Sequence, residues 1–315
     1  MKKYITWILL FLLFMTGCGE NGQIMSETIT PSPSQPPTEI CMDDLSDGNI
    51  AYNPSENSLS LWTCKERNYQ MYTLKKNNEW FGPVVTWKAP KNAIYDNFVY
   101  GSDGSLYACR KNYSGHKLEK QCLIRLRKNK KVTSISLTNL PKKEIKDISF
   151  SGTALALTFS DYSVRFYNIA EGQAFGDSHI KGCSEKNILQ QYWYFTQERE
   201  KTSGQMLFKS YDIRTGEAGK SYPLGTSQFV PVSNYREKLY VLLPSGIYTG
   251  TPEGTSLSKQ MDYSSLSLPE NARIACFQAA RDDMIYLGYY DEKQIFHLRI
   301  VTLSPLCYTD RQKKA

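Results

Sequence analysis

Phe98-Val-Tyr-Gly-Ser-Asp-Gly-Ser-Leu-Tyr-Ala-Cys-Arg110 is followed by the polar turn Ser114-Gly-His-Lys117. Then come Cys122-Leu-Ile-Arg-Leu-Arg127, a Lys128-Asn-Lys-Lys131 turn and Val132-Thr-Ser-Ile-Ser-Leu137. Four short β-type runs joined by three tight turns are the content of one antiparallel four-stranded sheet. The plan returns along the chain. Leu61-Trp-Thr-Cys-Lys65 matches Leu106-Tyr-Ala-Cys-Arg110, and Tyr167-Asn-Ile-Ala-Glu-Gly-Gln173 pairs with Tyr211-Asp-Ile-Arg-Thr-Gly-Glu217, in which Gly supplies a left-handed turn position.

Units open near residues 50, 98, 148, 188, 229 and 274. That spacing, about 40 to 50 residues, is the period of propeller blades. One such sheet is too small to stand alone, and packing sheets around an axis buries both faces of each. The fold expected is therefore all-β, a β-propeller of about six four-stranded blades over residues 41–303, with a pair of β-sandwiches as the alternative. The sixth unit shows three runs and then Ser304-Pro-Leu-Cys-Tyr-Thr-Asp-Arg-Gln-Lys-Lys-Ala315, which does not read as a strand and is assigned as an unstructured tail (304–315). Two explanations stand: a segment near Ile40 to Met42 supplies the missing strand, or the chain is cut short.

The other end carries an address. Met1-Lys-Lys3 is a positive n-region, and Tyr4 to Phe14 is an apolar run too short to span a bilayer comfortably, so residues 1–17 read as a signal peptide. The run ends in Met15-Thr16-Gly17-Cys18, which resembles a bacterial lipobox. The resemblance implies cleavage before Cys18 and diacylglycerol on its thiol, with Met15 in place of the commoner Leu. Acyl chains contribute about 0.8 kcal/mol per buried CH₂, so two or three hold a protein at a membrane. The implied location is the cell membrane, lipid-anchored and facing outside the cytoplasm. Residues 18–40, with Thr30-Pro-Ser-Pro-Ser-Gln-Pro-Pro-Thr38, have no apolar periodicity and read as an extended tether.

Leader, tether and blades together resemble bacterial β-propeller lipoproteins, including the N-terminal propeller part of surface solute-binding lipoproteins. The expected function is non-catalytic surface binding of a protein, peptide or glycan by the propeller. The alternatives are the propeller portion of a truncated transport lipoprotein and an extracellular carbohydrate-active enzyme.

The remaining signals bound the chemistry. The chain has 315 residues, 41% of them hydrophobic, and without Lys2 and Lys3 its 36 basic side chains face 31 acidic ones, a balance that calls for no nucleic-acid partner. Seven cysteines remain after Cys18, none in C-x-x-C spacing, and the three histidines lie in different units, so no metal or other cofactor is implied. Cys109 and Cys122 face each other if their hairpin centres on Gly115-His116, and either a cross-strand disulfide or two free thiols fits. Asp103, Asp161, Asp212, Asp282 and Asp283 stand at turns, where Asp binds nearby backbone; an acid–base pair from separate blades is the enzymatic reading. Trp62, Trp87, Trp193 and Tyr289, at strand ends, are the candidate contacts for a protein, peptide or glycan ligand.

Overall fold

The computed structural model describes residues 38–42, 49–74, 80–126, 132–176, 179–252, 256–281 and 284–303. The leader, the lipobox with Cys18, the tether to residue 37, and the segment from 304 onward lie outside the described residues.

The chain is a six-bladed β-propeller of four-stranded antiparallel sheets. Strand β1 (Thr38–Met42) comes first. Blade 1 is β2 (Asn49–Asn53), β3 (Ser58–Lys65), β4 (Asn68–Leu74) and β5 (Trp80–Lys88); blade 2 is β6 (Ala93–Tyr100), β7 (Leu106–Ser114), β8 (Lys117–Leu126) and β9 (Val132–Ile135). Blade 3 is β10 (Ile145–Ser151), β11 (Ala154–Phe159), β12 (Val164–Asn168) and β13 (Gln173–Phe175); blade 4 is β14 (Ile188–Gln190), β15 (Trp193–Arg199), β16 (Met206–Asp212) and β17 (Ala218–Pro223). Blade 5 is β18 (Val232–Tyr235), β19 (Lys238–Leu243), β20 (Gly246–Gly250) and β21 (Ser258–Asp262), and blade 6 begins with β22 (Arg273–Arg281), β23 (Met284–Tyr290) and β24 (Phe296–Thr302).

The outer strand of blade 6 is β1. It pairs antiparallel with β24, from Thr38 opposite Ile300 to Met42 opposite Phe296. The strand that the sequence left missing thus comes from the N-terminal side, and it starts at Thr38, inside the stretch read as tether. The inner strands β2, β6, β10, β14, β18 and β22 touch one another in that order, and β22 meets β2 to close the ring. Radial sheets replace the β-sandwich alternative.

Burial explains why blades form. In β16 the side chains of Met206, Phe208, Ser210 and Asp212 are buried and those between are half-buried, the period of 2 of a pleated strand. In β11 the run Leu155-Ala-Leu-Thr-Phe159 is buried throughout, because a middle strand is covered on both faces by neighbouring blades. Six apolar clusters occupy the six blade interfaces. Trp62 and Tyr69 of blade 1 meet Phe98 and Ile124 of blade 2, for example, and Ile50 and Leu61 of blade 1 meet Leu298 and Ile300 of blade 6. Each cluster needs two blades.

Candidate binding face

Every inner strand enters its blade from the same side of the ring. The loops between blades and the loops between second and third strands therefore open on one face, called here the entry face. The remaining hairpin loops open on the other. Cross-blade bonds obey this division: Ser102 Oγ donates to the Gly152 carbonyl on the far face, while Lys143 reaches Asp161 on the entry face.

Of the four sequence-selected aromatics, Trp62 and Tyr289 are buried and Trp87 and Trp193 are half-buried. Trp62 is buried between blades 1 and 2, stacked on Phe98 at 4.7 Å and edge-on to Trp87 at 5.1 Å. Trp87 and Trp193 are half-buried against the same cluster and the blade 4–5 cluster respectively. Tyr289 is buried and stacks on His297 at 5.1 Å. The three tryptophans pack into blade-interface clusters, because a strand-end aromatic inside a propeller has a neighbouring sheet to pack against, while Tyr289 packs within its own blade.

Cys109 and Cys122 are also kept apart. The hairpin does turn at Gly115-His116, with Ser114 opposite Lys117, but a bulge at Asn112/Tyr113 shifts the register by one residue. Cys109 then faces Leu123 and Cys122 faces Arg110. A one-residue slip sends the thiols to opposite faces of the sheet. Cys109 joins the blade 2–3 cluster, Cys122 packs against the blade 1–2 cluster, and both are free thiols. Alkylation of the unfolded chain without reductant is expected to modify both in full, as read by peptide mass spectrometry; a linked 109–122 peptide would contradict this register.

The turn carboxylates bind their own backbone. Asp103 accepts from the Ser105 N–H (3.0 Å), Asp161 from that of Ser163 (3.2 Å) and Asp212 from that of Arg214 (2.8 Å). Arg214 also grips Asp212 through its guanidinium, which holds that carboxyl down to about 2. Asp282 and Asp283 lie outside the described residues.

Sequence reading missed other groups. Six large apolar side chains are exposed among the described residues: Phe81, Ile94, Val132, Tyr162, Tyr192 and Phe229. Phe81 and Val132 are on outer strands and Tyr192 is on the far face. Ile94, near the start of β6, Tyr162, in the β11–β12 turn, and Phe229, before β18, share the entry face. Tyr162 is 50% exposed and has φ = +63°, a region that costs a side-chain-bearing residue on the order of 1–3 kcal/mol and that Gly or Asn usually fills. An aromatic residue inside Ser160-Asp-Tyr-Ser163, between two strands, was the available signal.

Charge on this face is arranged around Lys111, which is 2% exposed yet carries an ammonium. Its Nζ lies 2.6 Å from Asp96 and 3.1 Å from Glu144, and Lys146 adds a 2.9 Å contact to Glu144. Desolvation raises the Asp96 carboxyl above its usual range and Lys111 only partly offsets this. Glu144 is also desolvated, but hydrogen bonds from Lys146 and Lys111 outweigh that and hold it below the usual range. Desolvation opposes the charge of Lys111 too, and the two carboxylates more than restore it. Around the next interface, Asp147 accepts from the Asn187 backbone N–H (2.8 Å) and from Lys186 (3.1 Å). These bonds fasten blades 2, 3 and 4 to one another.

No family model matches the chain, and no curated protein sequence matches it significantly. Solved structures do. A chain of the mitotic checkpoint complex is similar at 9% identity over 91% of this chain and 100% of that one, with a TM-score of 0.50. The WD40 domain of Toxoplasma gondii coronin is similar at 12% identity over 88% and 89%, also at 0.50. TolB from Acinetobacter baumannii matches at 10% identity over 85% of this chain and 55% of that one, with a TM-score of 0.42. At these identities the likeness shows the β-propeller fold.

Proposed function

We propose that this chain is a membrane-anchored, extracytoplasmic lipoprotein whose propeller binds a protein or peptide partner through its entry face without transforming it. The observation that carries the binding role is the shared placement of exposed Ile94, Tyr162 and Phe229 on that face. Exposed apolar side chains set among charged ones are the make-up of a protein-contacting surface. The anchor rests on Met15-Thr16-Gly17-Cys18 at the end of the apolar run. The mitotic checkpoint match, a propeller inside a protein complex, is in keeping with use of this fold as an interaction platform.

Two measurements test the reading. In a host that processes lipoproteins, the chain is expected to incorporate labelled fatty acid and Cys18→Ser to abolish the incorporation; labelling that survives Cys18→Ser, or none in the parent chain, would end the anchor claim. A photo-crosslinking residue at Phe229 is expected to capture one partner identifiable by mass spectrometry, and the same residue at Tyr192 none. Capture at Tyr192 alone would mean that the far face is the binding surface.

A further inference from the structure

We propose that the entry face over blades 3 and 4 takes an acidic peptide segment of the partner, with Tyr162 as aromatic anchor and the surrounding lysines as its cations. This rests on the reading of the entry face as the binding face and adds the partner's chemistry. Three observations carry it.

The first is the rigidity of the Tyr162 turn. Tyr162 N–H donates to the Phe159 carbonyl (2.8 Å), Phe159 N–H to Ser163 (2.9 Å), Ser160 N–H to Glu144 (2.8 Å), and Gly182 N–H to Tyr162 itself (2.8 Å). Ser163 forms a bridge with Lys181, and Lys143 sits 2.5 Å from Asp161. Three segments, 142–147, 160–163 and 181–187, are thus tied together beneath one exposed ring. A turn whose backbone is already fixed has less to lose on binding than a mobile loop, which suits an anchor. Left-handed backbone held this firmly under an exposed aromatic points from strain to use.

The second is the uneven exposure of charge. These segments hold Lys142, Lys143, Lys146, Lys181 and Lys186 against Glu144, Asp147, Asp161 and Glu185. The formal excess is small, but more of the positive than of the negative charge reaches solvent. Asp147 keeps 10% of its side-chain surface and Lys186, its partner, 48%. Asp147 is buried and Glu144 half-buried, Asp161 and Glu185 are exposed, and all five lysines are exposed. Five exposed lysines against two exposed carboxylates leave the surface presented to a partner cationic, which steers and orients an anionic one.

The third is the apolar company. Phe229 and Ile94 are exposed on the same face. A segment carrying both carboxylates and apolar side chains satisfies the lysines and covers the Tyr162 ring, whereas a uniformly hydrophilic polyanion would leave that ring in water.

The test is fluorescence anisotropy of a fluorescein-labelled decapeptide of alternating Glu and Phe with the full chain. A Lys/Phe decapeptide and a galacturonate oligomer are the comparisons. The acidic peptide is expected to bind, and more weakly as salt rises, while the basic one does not. Tyr162→Gly is expected to weaken binding at least tenfold with an unchanged or raised melting temperature, since glycine adopts φ near +63° freely. Tyr162→Asn, also at ease there, and Lys181→Glu are expected to weaken it likewise. Equal binding of acidic and basic peptides, undiminished binding by Tyr162→Gly, or binding of the galacturonate oligomer alone each overturns the inference. A partner crosslinked at Phe229 without acidic-peptide binding overturns the acidic segment and leaves the binding-face reading standing.

Discussion

Replacing Asp96 and Glu144 together by alanine is expected to destabilise the propeller by about 3–5 kcal/mol, the cost of leaving a buried charge without its partners. Lys111→Met is expected to cost less, about 1–2 kcal/mol, although it removes the centre of the same cluster. The asymmetry follows from where water can reach. Asp96 keeps 37% of its side-chain surface and Glu144 28%, so without Lys111 both carboxylates can be hydrated and methionine refills the apolar volume. Lys111 keeps only 3%, so without the carboxylates its ammonium has neither water nor anion and must deprotonate or open the interface between blades 2 and 3. Denaturant midpoints at unchanged slope measure both variants. If Lys111→Met proved the more damaging, the cluster would be a net stabiliser and not a charge held in place by compensation.

The same cluster has a pH signature with a definite sign. Glu144 is held below its usual value of 4.5, so its contribution is present above that value and is lost as the pH falls through its lower folded value. Asp96 is raised above 3.8 and works the other way: its ionised form is disfavoured by folding, so stability drops as the pH rises through its folded value. With Asp96→Asn, the cluster's remaining carboxylate dependence is that of Glu144.

The ring was legible in the sequence because blades are written locally. Hairpins such as Ser151-Gly-Thr-Ala154, with Gly152 at φ = +58°, mark strand ends, and their recurrence counts the sheets. Even the closing strand was readable from its absence at the other end. What could not be read depends on contacts between blades. Whether Trp62 faces solvent or Phe98 is settled by the neighbouring sheet, and nothing in Leu61-Trp-Thr-Cys-Lys65 encodes that choice. The Cys109–Cys122 geometry hung on a single extra residue in β8, which a symmetric hairpin cannot anticipate. The Lys111 cluster draws on residues 96, 111 and 144, too far apart in sequence for spacing to signal, and Tyr162 gains its meaning only from a backbone angle.

Removing the closing strand should have the other large effect. A chain that starts at residue 43 is expected to melt about 10 °C below one that starts at residue 34, corresponding to about 3–5 kcal/mol for a domain of this size. The loss has a specific location. Without β1, the ladder groups of β24 from Phe296 to Ile300 lose their partners, and the sheet that carries Leu298 and Ile300 into the blade 6–1 cluster gains an unprotected edge. An unpaired edge also invites pairing with another chain, so the shortened protein is expected to self-associate in sedimentation. A synthetic peptide of residues 34–46 separates closure from any general effect of truncation. A strand supplied in trans stabilises by mass action, about 2.7 kcal/mol at a hundred times its dissociation constant, so the melting temperature should climb with peptide concentration. A peptide in which Ile40 is proline lacks one ladder donor in the middle of the strand and should rescue less well. If the chain starting at residue 43 melts within about 2 °C of the longer one, β1 is not what closes the ring, and the β22–β2 contact between blades 6 and 1 must suffice without it.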